Sequence, residues 1–208
     1  MIENAENTAE QPADDFAADI RRAVEVVRAG GVILYPTDTV WGIGCDATNA
    51  EAVRRVYEIK HRADSKALIV LVGDLGQLER TVDGIPDVAY DLIEYSDRPL
   101  TIIYDRAVGV APNLPAEDGT LAVRVTGEAF SQALCRALRR PIVSTSANIS
   151  GKPTPATFAD IDPAIIDAVD YVCTTRRNDT TRHPASTIMR LARTDFLRLF
   201  DPDIYLQL

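Results

Sequence analysis

Three cationic side chains, Lys60, Arg62 and Lys66, lie within the seven residues 60–66 (KHRADSK). The Arg guanidinium offers a fork of donors that fits a phosphate group, and the Lys ammonium is a movable point charge. The segment follows a predicted helix and precedes a predicted strand, and open α/β sheets bind ligands in loops at strand ends. Taken alone, it is more simply a solvated helix end whose cations complement the helix dipole. Binding of a phosphate group is the alternative.

A second polar segment, residues 144–154 (STSANISGKPT), begins within an apolar strand and continues into a loop. Its hydroxyl groups and backbone amides suit phosphate or ribose oxygens, and Gly151 lets the backbone approach a ligand closely. The segment lacks the GxxxxGK[ST] pattern of a Walker A loop. An ordinary polar turn is an equally good interpretation of this segment alone.

Thr37, Asp38 and Thr39 present three side-chain oxygens directly after a predicted buried strand. They could meet a substrate amine, a substrate hydroxyl or a hydrated metal ion, and the alternative is a turn that these side chains stabilise themselves. Arg124 lies within the otherwise apolar strand LAVRV. Its charge therefore needs either an ion-pair partner or a cleft that holds an anion.

The chain has few residues that could bind a metal ion or form a disulfide bond. The histidines are His61 and His183, with no HExxH spacing, so a metal cage built by the protein is not expected. Mg²⁺ carried by a nucleotide fits better. Cys45, Cys135 and Cys173 are widely spaced, which indicates reduced thiols and excludes a cysteine zinc site.

The elements that position these residues alternate between helix and strand. Hydrophobic periodicity and turn residues predict helices at 14–29, 50–60, 74–80, 86–95, 127–139 and in short pieces within 157–168. Strands are predicted at 32–35, 67–72, 100–104, 121–125, 141–145, 171–174, 185–191 and 195–200. Residues 37–44 are expected to be a loop with some extended structure, and 176–184 a solvated polar loop. No linker or repeat interrupts the alternation, so 14–208 is predicted to be one α/β domain with a large twisted mixed sheet.

The charge of the 208-residue chain is unevenly distributed. It has 31 acidic and 22 basic side chains, for a net charge of −9, but its first 19 residues hold six acids and no Lys or Arg. Residues 1–13 are too polar to order themselves and are predicted to be a disordered acidic tail. Net acidity argues against coating of nucleic acid or anionic membrane, and no apolar run or leader suggests a membrane or secretion. We therefore expect a cytoplasmic protein without a membrane partner.

Five segments occur in an order typical of a known family. They are GGVILYPTDTVWGIG at 30–44, KHR at 60–62, LAVRV at 121–125, SANISGKPTP at 146–155 and ASTI at 185–188. Together they closely resemble the YrdC-like family, in particular its threonylcarbamoyl-AMP synthases, over about residues 16–200. The resemblance implies a YrdC-like fold with a basic concave face. It also implies that L-threonine, bicarbonate and ATP, with Mg²⁺, react to L-threonylcarbamoyladenylate and pyrophosphate. The product would serve threonylcarbamoyladenosine modification at tRNA position 37, through a downstream transfer complex.

The resemblance also implies roles for individual residues. It makes Lys60 and Arg62 catalytic. Contacts to threonine or bicarbonate fall at Thr37, Thr39, Arg124, Ser144 and Ser186. Contacts to the nucleotide fall at Arg62, Lys66, Thr120, Ser146, Asn148, Thr154 and Arg198.

The chain departs from the family pattern at four places. The family's K-x-R-P is KHRA at 60–63, and its N-P-L is KAL at 66–68. A histidine common in the family is Leu71 here, and the P-D-H after the V-R strand is TGE at 126–128. Because these departures concern threonine more than ATP, amino-acid selectivity could differ.

Two other functions stay open from the sequence alone. One is a non-enzymatic module that binds tRNA or double-stranded RNA, or a paralogue with a lost or altered nucleotidyl transfer. RNA binding on a basic face would depend steeply on salt. The other is a relative that handles carbamoyl adenylate and would accept carbamoyl phosphate.

Overall fold

The computed structural model of the protein describes residues 13–62, 68–191 and 197–200. Its helices are α1 (Ala13–Arg28), α2 (Ala50–Ile59), α3 (Leu75–Glu79), α4 (Asp87–Glu94), α5 (Ala129–Leu138) and α6 (Pro163–Ala168), with a 3-10 turn at Phe158–Asp160. Its strands are β1 (Ile33–Tyr35), β2 (Gly42–Gly44), β3 (Ile69–Val72), β4 (Leu100–Tyr104), β5 (Leu121–Val125), β6 (Ile142–Ser146), β7 (Tyr171–Val172), β8 (Thr187–Leu191) and β9 (Leu197–Phe200). The predicted tail and Lys66 lie outside the described residues, except for the tail's last residue, Ala13. None of the helices described is long and apolar enough to cross a membrane.

The described strands form one mixed sheet in the order β7-β1-β2-β6-β3-β5-β4-β8-β9. The pairs β1–β7, β3–β5 and β4–β8 are parallel, and the other neighbouring pairs are antiparallel. This confirms the predicted fold class, a single α/β domain around a large mixed sheet.

The centre of the sheet is the most apolar part of the chain. All four residues of β3 are buried, and β3 pairs with β5 on one side and with β6 on the other. A strand covered on both faces needs apolar side chains at every position rather than at alternate ones. The continuous run at 67–72 therefore indicated this central position correctly.

Side-chain caps fix where the helices begin. Asn49 accepts hydrogen bonds from the backbone amides of Glu51 and Ala52, as expected for the start of α2. Helix α5 was predicted to begin at residue 127 but begins at Ala129. Its cap is Glu128, whose carboxylate accepts from backbone amides of the first turn.

The sequence did not predict β2 as a strand. Residues 37–44 were expected to be mainly loop because glycine is depleted in strands, but Gly42–Gly44 lies in the sheet between β1 and β6. The glycines are needed there for space. A Cβ atom at Gly44 would lie 2.5 Å from the carbonyl oxygen of Val143 and 2.6 Å from Cε1 of Tyr35. Only a residue without a side chain fits that position.

Candidate active site

Strand register collects several predicted site residues on one face of the sheet. Arg124 of β5 lies opposite Leu71 of β3, and Ser144 of β6 lies opposite Ile69, two residues before Leu71. Side chains two positions apart point to the same face, so Arg124 and Ser144 share it. Leu71, one of the departures from the family pattern, is thus the neighbour of Arg124 across the strands.

The side chain of Ser186 joins the same face from the β4 side. Its Oγ lies 3.0 Å from Oγ1 of Thr101 in β4, and both residues are buried. Ile103 of β4 lies opposite Ala122 of β5, so Thr101 and Arg124 belong to one face.

Arg124 forms a buried ion pair with Asp38. The Arg124 side chain is 4% exposed, and its Nη2 lies 3.0 Å from Oδ1 of Asp38. Within the described residues, Nε of Arg124 and Oδ1 of Asp38 are buried atoms without a hydrogen bond. The charge in the apolar strand therefore has an ion-pair partner, and the Nε donor of Arg124 is left without a hydrogen bond.

Asp38 reaches Arg124 because Thr37 closes a tight turn after β1. The Thr37 hydroxyl donates to the carbonyl oxygen of Val40 at 2.6 Å and accepts from the amide of Thr39 at 3.1 Å. Thr37 and Thr39 are both buried, with their hydroxyl oxygens 3.2 Å apart. The turn that was the alternative to a binding site is therefore present, and it positions Asp38.

Gly42 of β2 separates the turn from β6. A Cβ atom at Gly42 would lie 3.3 Å from Ser144 Oγ and 3.3 Å from Thr37 Cγ2. Gly42 also lies opposite Ser146 in register. The two segments that the sequence singled out, 37–39 and 144–154, therefore meet across β2.

Lys60, at the end of α2, is bonded to the loop after β6. The side chain is 1% exposed, and its ammonium donates to the carbonyl oxygens of Ser146 and Asn148 and to Oδ1 of Asn148. The Lys60 carbonyl accepts in turn from the amide of Ser150 at 2.8 Å. Burial, with a smaller contribution from the nearby Arg62 charge, lowers the pKa of Lys60 from 10.5 to about 7. Lys60 thus holds this loop in place.

The loop after β6 is also braced from within. The Ser146 hydroxyl donates to Oδ1 of Asn148, and the Asn148 amide group donates to the carbonyl oxygen of Lys152 at 2.6 Å. Thr154, further along the loop, is exposed. Of the predicted nucleotide contacts in this loop, Ser146 and Asn148 are therefore fixed and Thr154 is free to meet solvent.

Thr120 lies apart from this group. It lies one residue before β5. Four residues of extended strand, roughly 13 Å, separate it from Arg124. Its hydroxyl donates to Oδ1 of Asp118 at 2.6 Å, and Oδ2 of Asp118 pairs with Arg190 at 3.3 Å. Arg198 is part of β9, opposite Arg190.

Sequence reasoning missed the part played by Arg176. The segment 176–184 was expected to be solvated, but Arg176 donates to the carbonyl oxygen of Thr37 at 3.0 Å and to Oδ2 of Asp179 at 3.0 Å. It also lies 3.5 Å from Oε1 of Glu128. Arg176 has a positive φ of 61°, which no local pattern indicated. These contacts connect residues up to 139 positions apart, so no short motif could have revealed them.

Two openings adjoin the Thr37 turn. A small cavity is lined by Thr37, Thr39, Trp41, Arg176 and His183, among others. A cleft of about 350 Å³ is lined by Asp38 of this turn, by residues 125–128 and by residues 96–100, among others. Its size suits a small metabolite. Across the described ranges, no group of three or more His, Cys, Asp or Glu side chains could hold a metal ion.

Comparisons with known proteins converge on one family. The family Sua5_yciO_yrdC, described as "Telomere recombination", matches residues 25–199. The threonylcarbamoyl-AMP synthase of Stenotrophomonas maltophilia is 37% identical over 153 residues, which cover 72% of this chain and 82% of the relative. That of Xanthomonas euvesicatoria is 38% identical over 157 residues, covering 74% and 84%.

Solved structures resemble the fold over most of the chain. Sua5 of P. abyssi, solved in complex with L-threonine, has a TM-score of 0.76 at 29% identity and covers 88% of this chain. This chain spans only 53% of that Sua5, about half its length. YciO of E. coli has a TM-score of 0.71 at 28% identity, covering 83% of this chain and 84% of YciO.

Proposed function

The chain belongs to the Sua5_yciO_yrdC family, and from this membership we propose that it is a threonylcarbamoyl-AMP synthase. The observation that carries the proposal is the buried Arg124–Asp38 pair, which lies beside the Thr37 turn and across β2 from the loop that Lys60 holds. Asp38 of this pair lines the cleft of about 350 Å³, and a pair of opposite charges beside a cleft suits a small charged substrate such as an amino acid.

The proposed reaction needs positioning and charge neutralisation more than a covalent nucleophile. The amine of L-threonine attacks bicarbonate to give a carbamate and water, and the carboxylate of the carbamate attacks the α-phosphorus of ATP and displaces pyrophosphate. Such a step is accelerated by holding the reactants together and by balancing the phosphate charge. Because AMP passes from ATP to the carbamate, the reaction is a nucleotidyl transfer. ATP would bring Mg²⁺ with it, and the metal would assist the transfer.

Site residues are assigned within this proposal as the family resemblance implies them. Threonine and bicarbonate would meet Thr37, Thr39, Arg124, Ser144 and Ser186. The nucleotide would meet Arg62, Lys66, Thr120, Ser146, Asn148, Thr154 and Arg198. Lys60 would act on the reacting groups mainly through the loop it holds, because its ammonium hydrogens are directed at that loop.

A tRNA-modifying pathway would follow this reaction. The proposed product, threonylcarbamoyladenylate, is a mixed anhydride of the carbamate and AMP, and such a compound is an activated donor rather than an end product. A separate transfer complex would therefore pass the threonylcarbamoyl group to tRNA. We infer a cytoplasmic location from the need for ATP and tRNA.

Release of pyrophosphate tests the function directly. Purified full chain with Mg²⁺ and ATP is expected to release pyrophosphate only when both L-threonine and bicarbonate are present. Arg62→Ala is expected to lower the rate about 100-fold or more, the usual effect of removing a group that stabilises transition-state charge. Arg106→Ala is the matched control, because Arg106 forms an exposed ion pair with Asp83 that no part of the proposal uses.

Three results would contradict the proposal. Release without threonine would indicate another nucleotide-hydrolysing activity, and no release with all substrates would favour an RNA-binding module. Equal rates for Arg62→Ala and Arg106→Ala would remove Arg62 from the active site.

A further inference from the structure

We propose that the Asp38 carboxylate binds the α-ammonium group of the amino-acid substrate and accepts the proton that this group must lose before it attacks bicarbonate. The inference rests on the proposed function and adds to it the residue that activates the nucleophile. Asp38 lies between Thr37 and Thr39, and the family resemblance assigned threonine contacts to those two residues but not to Asp38. The sequence alone placed Asp38 among three oxygens that could meet a substrate amine, without giving it a role in proton transfer.

The ion pair has the charge pattern that an amino acid needs. Nη2 of Arg124 and Oδ1 of Asp38 are 3.0 Å apart, so a positive and a negative group lie side by side. A free amino acid carries its carboxylate and its ammonium on the same carbon. If Arg124 receives the carboxylate, the ammonium falls beside Asp38, and each charge gains an opposite one.

The Asp38 carboxylate is the part of the ion pair that a ligand can reach. Oδ1 of Asp38 faces Nη2 of Arg124 at 3.0 Å, so the ion pair already occupies this oxygen. The Asp38 side chain is nevertheless 15% exposed, against 4% for Arg124. Among the residues described, Nε of Arg124 is buried and forms no hydrogen bond, and an unmet buried donor costs about 1–3 kcal/mol. The pair is therefore not fully satisfied by its own atoms.

Two other carboxylates near the turn, those of Glu128 and Asp179, are already occupied, and Asp97, which lines the same cleft as Asp38, is exposed. Glu128 accepts from the amides of Phe130 and Ser131 and from the Ser131 hydroxyl. Asp179 accepts from Arg176 and from the amide of Thr181. Asp38, by contrast, lines the cleft of about 350 Å³ and is 15% exposed, so a substrate can reach it.

The proton balance of the step is complete. The substrate R–NH₃⁺ gives one proton to the Asp38 carboxylate and becomes R–NH₂. The nitrogen lone pair then forms a bond to the bicarbonate carbon, and the C–OH bond breaks. The leaving hydroxide takes a second proton from the nitrogen, which yields R–NH–COO⁻ and water. Asp38 returns its proton to solvent, so no other reactant is needed.

Binding of two related ligands tests the recognition half of the proposal. Calorimetry would compare L-threonine with (2S,3R)-2,3-dihydroxybutanoate, in which a hydroxyl replaces the ammonium. Asp38→Asn keeps the size of the side chain and removes its charge. We expect this variant to bind threonine about 10-fold or more weakly, the usual effect of losing a charged hydrogen-bond partner. Binding of the hydroxy acid should change by less than about 3-fold.

Turnover tests the proton-transfer half. At saturating threonine, Asp38→Asn is expected to lower kcat by about 100-fold, within the usual contribution of a positioned base. Asp83→Asn is the matched control, since it removes the same charge from the exposed pair with Arg106 and should leave kcat and threonine affinity unchanged. Far-ultraviolet circular dichroism and thermal unfolding establish that each variant is folded.

The outcomes separate this proposal from the function on which it rests. Equal weakening of threonine and of the hydroxy acid would mean that Asp38 only positions Arg124, and the proposal would be overturned. An unchanged kcat at saturating threonine would overturn the proton-acceptor role. If wild-type protein neither binds threonine nor releases pyrophosphate, the proposed function itself fails.

Discussion

Lys60 shows how burial changes what a cationic residue can do. The sequence motif points to an anion-binding lysine, but its ammonium donates to three acceptors of the loop at 146–148. Those acceptors are 86 and 88 positions away along the chain, so no local pattern could indicate them. The family resemblance assigned Lys60 and this loop to one site, and in the structure the two are in direct contact. The side chain acts in that site as a brace between α2 and the loop.

Replacing Lys60 by Met should reveal this brace as a loss of stability. The change leaves two partly buried carbonyl oxygens, those of Ser146 and Asn148, without their donor, which should lower the free energy of unfolding by about 1–3 kcal/mol near pH 7. Lys152→Met is the matched control from the same loop. Lys152 is 60% exposed and pairs only at the surface with Asp162, so its loss should change stability by less than about 0.5 kcal/mol.

The pH dependence of the same variant follows from the lowered pKa. Between about 7 and 10.5, the folded protein holds fewer protons on Lys60 than the unfolded chain does. Wild type should therefore gain stability over Lys60→Met as the pH rises through this window. Urea unfolding at pH 7 and pH 9.5 measures the difference. A gap between the two proteins that stays constant would show that the Lys60 ammonium is not destabilised by burial.

At the level of elements, hydrophobic periodicity predicted where most helices and strands lie along the chain, but it did not predict the order of the strands in the sheet. Strand β3 was recognised because it is apolar at every position, and α2 because Asn49 caps it. Strand β2 was missed because Gly42–Gly44 has almost no side chains on which a pattern could rest. The candidate site depends on this missed strand, since β2 brings the Thr37 turn and β6 together.

The tight packing of β2 predicts a large effect of a single methyl group. Gly44→Ala would place a Cβ atom 2.5 Å from a backbone oxygen that cannot move without displacing β6. We expect the free energy of unfolding to fall by about 3 kcal/mol. Gly127→Ala is the control, because a Cβ atom there meets nothing within 4 Å and should change stability by less than about 1 kcal/mol. Identical urea midpoints for the two variants would contradict this packing.

At the scale of the whole molecule, distant parts of the chain are joined beside the candidate site. Helix α1 packs against α5 through an edge-to-face contact between Phe16 and Phe130, with ring centres 5.6 Å apart. On α1, the buried Asp19 accepts hydrogen bonds from the segment that follows β7. That segment leads directly to Arg176, which reaches the Thr37 turn. A residue near the beginning of the domain thus fixes a loop formed by its last third. The sequence predicted α1 as a helix. It did not predict that α1 contacts the segment after β7, because contacts of this kind depend on strand order.

Asp19→Asn tests that connection through its dependence on pH. The Asp19 carboxylate accepts from the Tyr171 hydroxyl at 2.7 Å, from the amides of Thr174 and Thr175, and from the Thr175 hydroxyl. Burial alone would raise the pKa of Asp19, but these hydrogen bonds outweigh it and hold the pKa below 3.8. The carboxylate therefore stabilises the fold fully above pH 3.8, and this stabilisation is lost as the pH falls through the lowered value.

At pH 7 the Asp19→Asn variant should be less stable by about 2 kcal/mol, as for the loss of charged hydrogen bonds. The difference should shrink below pH 3.8, because the protonated carboxyl group of wild type and the amide group of the variant both present a neutral side chain to the same donors. Asp91→Asn, on the exposed face of α4, should change stability by less than about 0.5 kcal/mol at either pH. A deficit for Asp19→Asn that is as large in acid as at pH 7 would mean that shape, and not the carboxylate charge, joins α1 to this segment.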